Sequence, residues 1–339
     1  MSAAVKRVNL ALQGGGAHGA FTWGVLDRLL EDERIGVDGI VGTSAGAMNA
    51  AVTAYGLAIG GNRGARDALA EFWRKVSERG KSGPLQPSPL DRAMGGGGME
   101  YSPIYQAFTA MMRVVSPYQV NPGNWNPLRE VLEEVVDFER LRAATDVKLF
   151  LCAANVLTGR LKVFERHEVS AAAVLASGCL PFLFQAVEVD GQHYWDGGYM
   201  GNPPIFPVIY ACQSRDVVIV QINPVAIPEL PTTAQAIHDR INTLSFNSSL
   251  MRELRAISFV TKLIDGGFDD GGRLKRMLIH TIDAEDFMNR LSVSSKLNAD
   301  WDWICRLHEL GRARAEDFIA RHFDKIGRES STDIAAKFM

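Results

Sequence analysis

The sequence has no Lys/Arg-rich block. Its 36 Lys and Arg face 39 Asp and Glu, for a formal net charge of −3. The basic footprint that a nucleic-acid partner requires is therefore missing. Cysteine is scarce. The four residues Cys152, Cys179, Cys212 and Cys305 lie far apart, with no C-x-x-C pair and no metal-ligand spacing. They are expected as reduced thiols, mostly in a core, and they imply neither a metal nor a cofactor. No apolar run reaches 18 residues, and Met1–Arg7 is short and polar, without the apolar stretch of a signal peptide. The expectation is a cytoplasmic protein that does not span a bilayer, with peripheral membrane contact left open.

What is present is enough apolar material for a large core: 47% of 339 residues. That length and composition suit one large α/β domain, alone or with a helical addition. Val5–Leu12 reads as a strand and Ala17–Glu33 as a helix with Phe21, Val25, Leu26, Leu29 and Leu30 on one face. Ile35–Val41 reads as a second strand and Ala45–Ala58 as a small, buried helix. This βαβα opening predicts a three-layer α/β/α fold around a mostly parallel sheet. Further strands are expected at Val147–Asn155, Leu161–Phe164, Val217–Ile222 and Leu274–Ile282, with a hairpin around Asp190-Gly191. Helices are expected at Leu128–Leu141, Ser170–Ser177, Thr233–Ile264 and Ala299–Phe323. The Pro-rich link Pro224–Pro231 marks a boundary between a catalytic body, residues 5–223, and a mainly helical C-terminal region, residues 232–339.

Residues 80–127 break the pattern, being rich in Gly and Pro, with Met94, Met99, Tyr101, Phe108, Met111, Met112 and Trp125 interspersed. Long connections of this kind are functional or mobile. A lid over 94–125 and a loosely packed surface loop are both compatible with it.

Gly42-Thr43-Ser44-Ala45-Gly46 matches G-x-S-x-G between an apolar strand and an Ala-rich helix. A serine on so sharp a turn needs small neighbours two residues either side, and the helix behind it aims free N–H groups at developing negative charge. Gln13-Gly14-Gly15-Gly16-Ala17-His18-Gly19 joins the first strand to the first helix. Gly14, Gly16 and Gly19 fit a dinucleotide loop, with Asp32 or Glu33 further on, and equally fit an oxyanion hole of exposed N–H groups. A nucleotide-binding module thus stands as the reading of another class. Ser44 on the neighbouring strand favours the oxyanion hole. Asp196, followed by Gly197 and Gly198, sits in an open corner where it could activate a hydroxyl, though alone it is an ordinary turn.

Taken together and in order, Gly14–Gly19, Gly42–Gly46 and Asp196-Gly-Gly198 resemble the patatin-like phospholipase family, whose pattern is G-G-G-x-[RK]-G, G-x-S-x-G and D-G-[GA]. Ala153–Gly159 and Ala176–Phe182 look alike too, so the resemblance covers roughly residues 5–210. It implies a lipid acyl hydrolase working through an acyl-enzyme, with Ser44 as nucleophile and Asp196 as base in a Ser-Asp dyad. Gly14, Gly15, Gly16 and Ala45 would be the oxyanion donors, with no metal and an acyl lipid as substrate. A thioesterase or acyltransferase with the same dyad fits equally, since pocket shape decides the acyl donor. One position departs: His18 stands where the family has Arg or Lys, and a structural hydrogen bond is its expected role. His193, three residues before Asp196, should point to the opposite strand face. His238, His280 and His308 sit in no motif. The C-terminal helices could gate the site, contact a membrane or form a homodimer interface.

Overall fold

A computed structural model describes residues 5–268 and 271–339; Met1–Ala4 of the polar N-terminal stretch lie outside the described residues. In chain order the elements are β1 (Lys6–Leu12), α1 (Gly19–Glu31), β2 (Ile35–Thr43), α2 (Ala45–Lys81), α3 (Pro89–Met94), α4 (Pro103–Met111), α5 (Pro117–Val120), α6 (Pro127–Val135) and α7 (Phe138–Ala143). There follow β3 (Lys148–Asn155), β4 (Leu161–Glu165), α8 (Ala171–Ser177), β5 (Val187–Val189), β6 (Gln192–Asp196), α9 (Phe206–Ala211) and β7 (Asp216–Val220). The chain ends with α10 (Ala234–Asp265), β8 (Leu278–Ile282), α11 (Glu285–Met288), a 3-10 turn Val293–Leu297, α12 (Trp301–His322) and α13 (Ile334–Phe338).

The strands form one sheet in the order β5-β6-β3-β2-β1-β7-β8, with β4 paired to β3. From β3 to β8 it is parallel, and β4, β5 and β6 join antiparallel. Alternation along each strand divides the core in two. Leu10, Leu12, Leu149, Leu151, Val218 and Val220 face α1, α2, α8 and α12. Ala11, Val41, Phe150, Cys152, Val217 and Ile219 face α9, α10 and α13. The result is the expected three-layer α/β/α architecture. From β1 the chain builds β2 and β3 to one side and later β7 and β8 to the other. Such a reversal opens a crevice at the carboxyl ends of the central strands.

Three expectations change. The helix after Ser44 runs on to Lys81 with a break at Gly60 and Gly61. Ala65, Leu69, Phe72 and Trp73 recur at helical spacing and bury the second half. Residues 80–127 are not a structureless connection, for they carry α3, α4 and α5. Each opens on a Ser-Pro pair, Ser88-Pro89, Ser102-Pro103 and Ser116-Pro117, with Ser at the cap and Pro in the first turn. The helix expected at Leu128–Leu141 is two, α6 and α7, broken at the extended Val136 and Asp137. Beyond the link at Pro224–Pro231, β8 lengthens the same sheet, and Trp303, Ile304, Leu307 and Phe318 of α12 pack in the cluster that holds α1.

Candidate active site

The crevice is built from three chain reversals. At the end of β2, Ser44 takes φ 57° and ψ −126°, a left-handed backbone conformation strained for a side-chain-bearing residue. Gly42 and Gly46 leave no room for larger residues: a Cβ on Gly42 would strike the backbone of Gly46, and one on Gly46 the carbonyl of Leu12. The N–H of Ser44 donates to Ser177 Oγ at 2.9 Å, and Ser177 Oγ donates to the carbonyl of Cys152 at 2.6 Å. The elbow is thereby pinned to β3.

The sheet itself brings Asp196 to Ser44. A strand has two edges. Cys152 pairs with both Thr43 and Val163, and Ala153 pairs with both Lys162 and Asp196. With β4 along one edge of β3, β2 and β6 must share the other, end to end. Asp196, the last residue of β6, therefore lies one register step beyond Thr43, beside the elbow.

Asp196 is fully buried. Its Oδ1 accepts from the N–H of Gly198 at 2.7 Å, while Oδ2 has no hydrogen-bond partner among the described residues. Burial pushes its pKa up to about 6, against the opposing pull of the Gly198 N–H, the nearby Ser44 hydroxyl and the Lys296 ammonium. Ser44 is thus close enough to favour the carboxylate without being locked to it.

The glycine loop is stapled from several elements. Gln13 Oε1 accepts from the N–H groups of Ile222 and Asn223, both at 2.9 Å. The N–H of Gly14 donates to Asn202 Oδ1 at 2.7 Å, and its carbonyl accepts from Asn223 Nδ2 at 2.8 Å. The N–H groups of Gly15, Gly16 and Ala45 make no hydrogen bond among the described residues. A cavity of about 560 Å³ adjoins the loop, with His18, Ile222, Asn223, Asp239, Arg240 and Lys296 in its wall.

No histidine among the described residues bonds to Ser44 or Asp196. His18 is buried, with Nε2 2.7 Å from Ser295 Oγ. His280 lies between Asp216 and Ser331, 2.9 Å from each, at the opposite end of β7. Its Nδ1 also accepts the Ser331 N–H, so that nitrogen is already engaged. His308 joins Asp27 on α1, and His193 pairs across the hairpin with Glu188. Among the described residues no group of His, Cys, Asp and Glu is arranged to hold a metal ion, and no helix is long and apolar enough to cross a membrane.

Sequence reasoning missed Ser177, Asn202, Asn223 and Lys296. Ser177 lay inside a stretch already singled out, Ala176–Phe182. The two asparagines and the lysine had no motif to mark them, since they arrive from separate parts of the chain.

No curated protein matches the chain. Among solved structures it is similar to VipD from Legionella pneumophila, 16% identical over 94% of this chain and 68% of that one, with a TM-score of 0.46. It is also similar to ExoU in its heterodimeric complex with SpcU from Pseudomonas aeruginosa, 16% identical over 95% of this chain, with a TM-score of 0.41. The chain spans 53% of the length of that ExoU chain. The patatin-like phospholipase family model matches residues 10–209. The chain belongs to the patatin-like phospholipase family, which places it at family level among lipid acyl hydrolases.

Proposed function

We propose that this chain hydrolyses acyl esters of lipids with Ser44 as nucleophile and Asp196 as its base. Ser44 Oγ bonds to the carbonyl carbon as its proton passes to Asp196 Oδ2, and the carbonyl oxygen takes up the negative charge. Collapse of that intermediate breaks the bond to the leaving alcohol, which takes the proton from Asp196. Water then repeats the sequence on the acyl-enzyme, releasing the fatty acid. The donors to the oxyanion are Gly15, Gly16 and Ala45. Gly14, expected among them, has its N–H occupied by Asn202, so its part is to shape the loop.

The observation that carries this reading is Asp196 Oδ2, a buried carboxylate oxygen without a partner beside a serine on a strained turn. Buried polar atoms are mostly paired, and what distinguishes this unpaired one is its place beside a serine on an elbow, where it can accept the serine's proton. Fluorophosphonate labelling tests it: the native protein is expected to label and Ser44→Ala is not. Absence of label on folded native protein would sink the hydrolase. A His→Ala variant as impaired as Asp196→Asn would sink the dyad. A lipid-class panel with product mass analysis then fixes the acyl donor, and turnover of thioesters alone would move the assignment to a thioesterase.

A further inference from the structure

We infer that Lys296, delivered by the turn between α11 and α12, supplies the positive charge at the acyl-transfer site, acting as a positioning residue for the glycine loop and Asp196. This rests on the Ser44–Asp196 reading. That chemistry places a carboxylate and then an oxyanion in a buried crevice, where an uncompensated negative charge is costly. The glycine loop offers only His18 as a cation, and His18 is held neutral. The Ser295 hydroxyl donates to the Ser292 carbonyl at 2.6 Å, so the contact to His18 must be donated by His18 Nε2. The Trp303 ring packs edge-on against the imidazole, with centroids 6.3 Å apart. Burial, and secondly the neighbouring Lys296, push the His18 pKa down to about 3.

Lys296 is tied to the loop at both ends. Its carbonyl packs so closely on Gly16, at φ +59°, that a Cβ there would overlap it. Its Nζ donates to Asn223 Oδ1 at 2.8 Å, and Asn223 Nδ2 donates to the carbonyl of Gly14. The ammonium thus bears on the loop through one asparagine and acts through space on Asp196. The charged and titratable groups around it are Asp196 at the end of β6, His18, and Asp239 on α10 with His238, Glu100 and Tyr105 beyond it. Arg240, also on the cavity wall, donates to the Val225 carbonyl at 3.0 Å. Residue 296 lies outside the 10–209 stretch matched by the family model, so this charge comes from the part of the chain that the resemblance does not reach.

Burial lowers the Lys296 pKa to about 8, partly offset by Asp239 and Asp196, which makes the charge testable by pH. Lys296→Met and Lys296→Arg should be compared with wild type on a soluble p-nitrophenyl ester between about pH 5 and 10, with thermal melts beside them. Lys296→Met is expected to lose roughly tenfold to a hundredfold in kcat with KM nearly unchanged. Its acid limb should move to higher pH, because Asp196 loses the cation that favours its ionised form. Lys296→Arg should keep most of the activity and lose the alkaline limb expected of wild type near pH 8, since guanidinium stays charged. Wild-type activity in Lys296→Met overturns the inference, and so does a loss that leaves both pH limbs in place. If Lys296→Arg does not fold, the limbs of wild type and Lys296→Met decide alone. Ser44→Ala run alongside keeps the two ideas apart: full turnover there brings down the dyad, whatever Lys296 does.

Discussion

Two carboxylates, one on a helix and one at a strand end, meet opposite fates. Asp27, on α1, accepts from Arg66 Nε at 2.6 Å and His308 Nε2 at 3.2 Å, and it also pairs with Arg312. Burial disfavours its charge, yet His308, Arg66 and Arg312 together hold its carboxyl far below the ordinary range. Asp196 has one backbone N–H, the nearby Ser44 hydroxyl, a single lysine acting through space and one oxygen unpaired among the described residues, and burial wins. The two differ in partners and in depth, for Asp27 keeps part of its side chain at the surface and Asp196 is fully enclosed. A carboxylate saturated with donors ties elements together, here α1 to α2 and α12. A carboxylate left half unpaired costs stability and stays able to take a proton.

The sharpest way to break this contrast is Asp196→Asn. Turnover of a soluble ester is expected to fall by about a thousandfold or more, near the loss for Ser44→Ala, because members of one catalytic unit do not add. The same change should stabilise the fold at pH 8. A raised carboxyl pKa of about 6 means the folded state resists ionisation, so wild type carries a penalty above that pH. The penalty disappears as pH falls below the unfolded value. Relative to wild type, the variant should gain about 1–3 kcal/mol in urea melts at pH 8, with the gain shrinking by pH 4. A destabilised variant at pH 8 would mean that Asp196 is a structural carboxylate like Asp27.

Asp27→Asn should do the reverse. It removes a charge that faces Arg66, Arg312 and His308, and about 1–3 kcal/mol of stability should go with it. Fluorophosphonate labelling per folded molecule should stay unchanged. Because the Asp27 pKa is depressed, its contribution is present above the unfolded carboxylate pKa and is lost only as pH falls through the folded value. Wild-type kcat/KM should meanwhile rise with pH through about 6 as Asp196 ionises, a limb that a pH series on a soluble ester would read. A flat profile across pH 5–7 would deny Asp196 the role of base.

The parts of this molecule legible in the sequence are those made within a few residues. The strand-turn-helix at Ser44, the hairpin at Asp190-Gly191 with both residues at positive φ, and the parallel sheet all follow from local pattern and turn chemistry. The Ser-Pro caps of α3, α4 and α5 were equally local and were hidden by the glycines around them. The juxtaposition of Asp196 with Ser44 came only from motif order. Its physical cause, two strands sharing one edge of β3, is a register that no local pattern encodes. Asn202, Asn223 and Lys296 lie about 160, 180 and 250 residues beyond Ser44, and only the assembled fold brings them to the loop. The occupied N–H of Gly14 is of the same kind, because the asparagine that engages it is distant in sequence.

The smallest expected effect concerns how substrate reaches these groups. The segment holding α4 and α5 is tied to the rest of the chain at two points. Met99 is buried and donates its N–H to Ser294 Oγ at 2.7 Å, while Asn121 accepts at its carbonyl from Gln185 Nε2 at 2.7 Å. Between these anchors α4 buries none of its residues, and Ile104 and Val114 are 55% and 85% exposed. Exposed apolar side chains on a segment near the proposed acyl-transfer site make contact with a lipid surface the expectation to test. The double change Ile104→Ser with Val114→Ser should weaken turnover of phospholipid vesicles by a few-fold, about 1 kcal/mol for lost apolar transfer. It should leave the soluble ester untouched, since both side chains are exposed at the surface. Equal losses on both substrates would mean that the segment supports the fold of the crevice and does not meet the lipid.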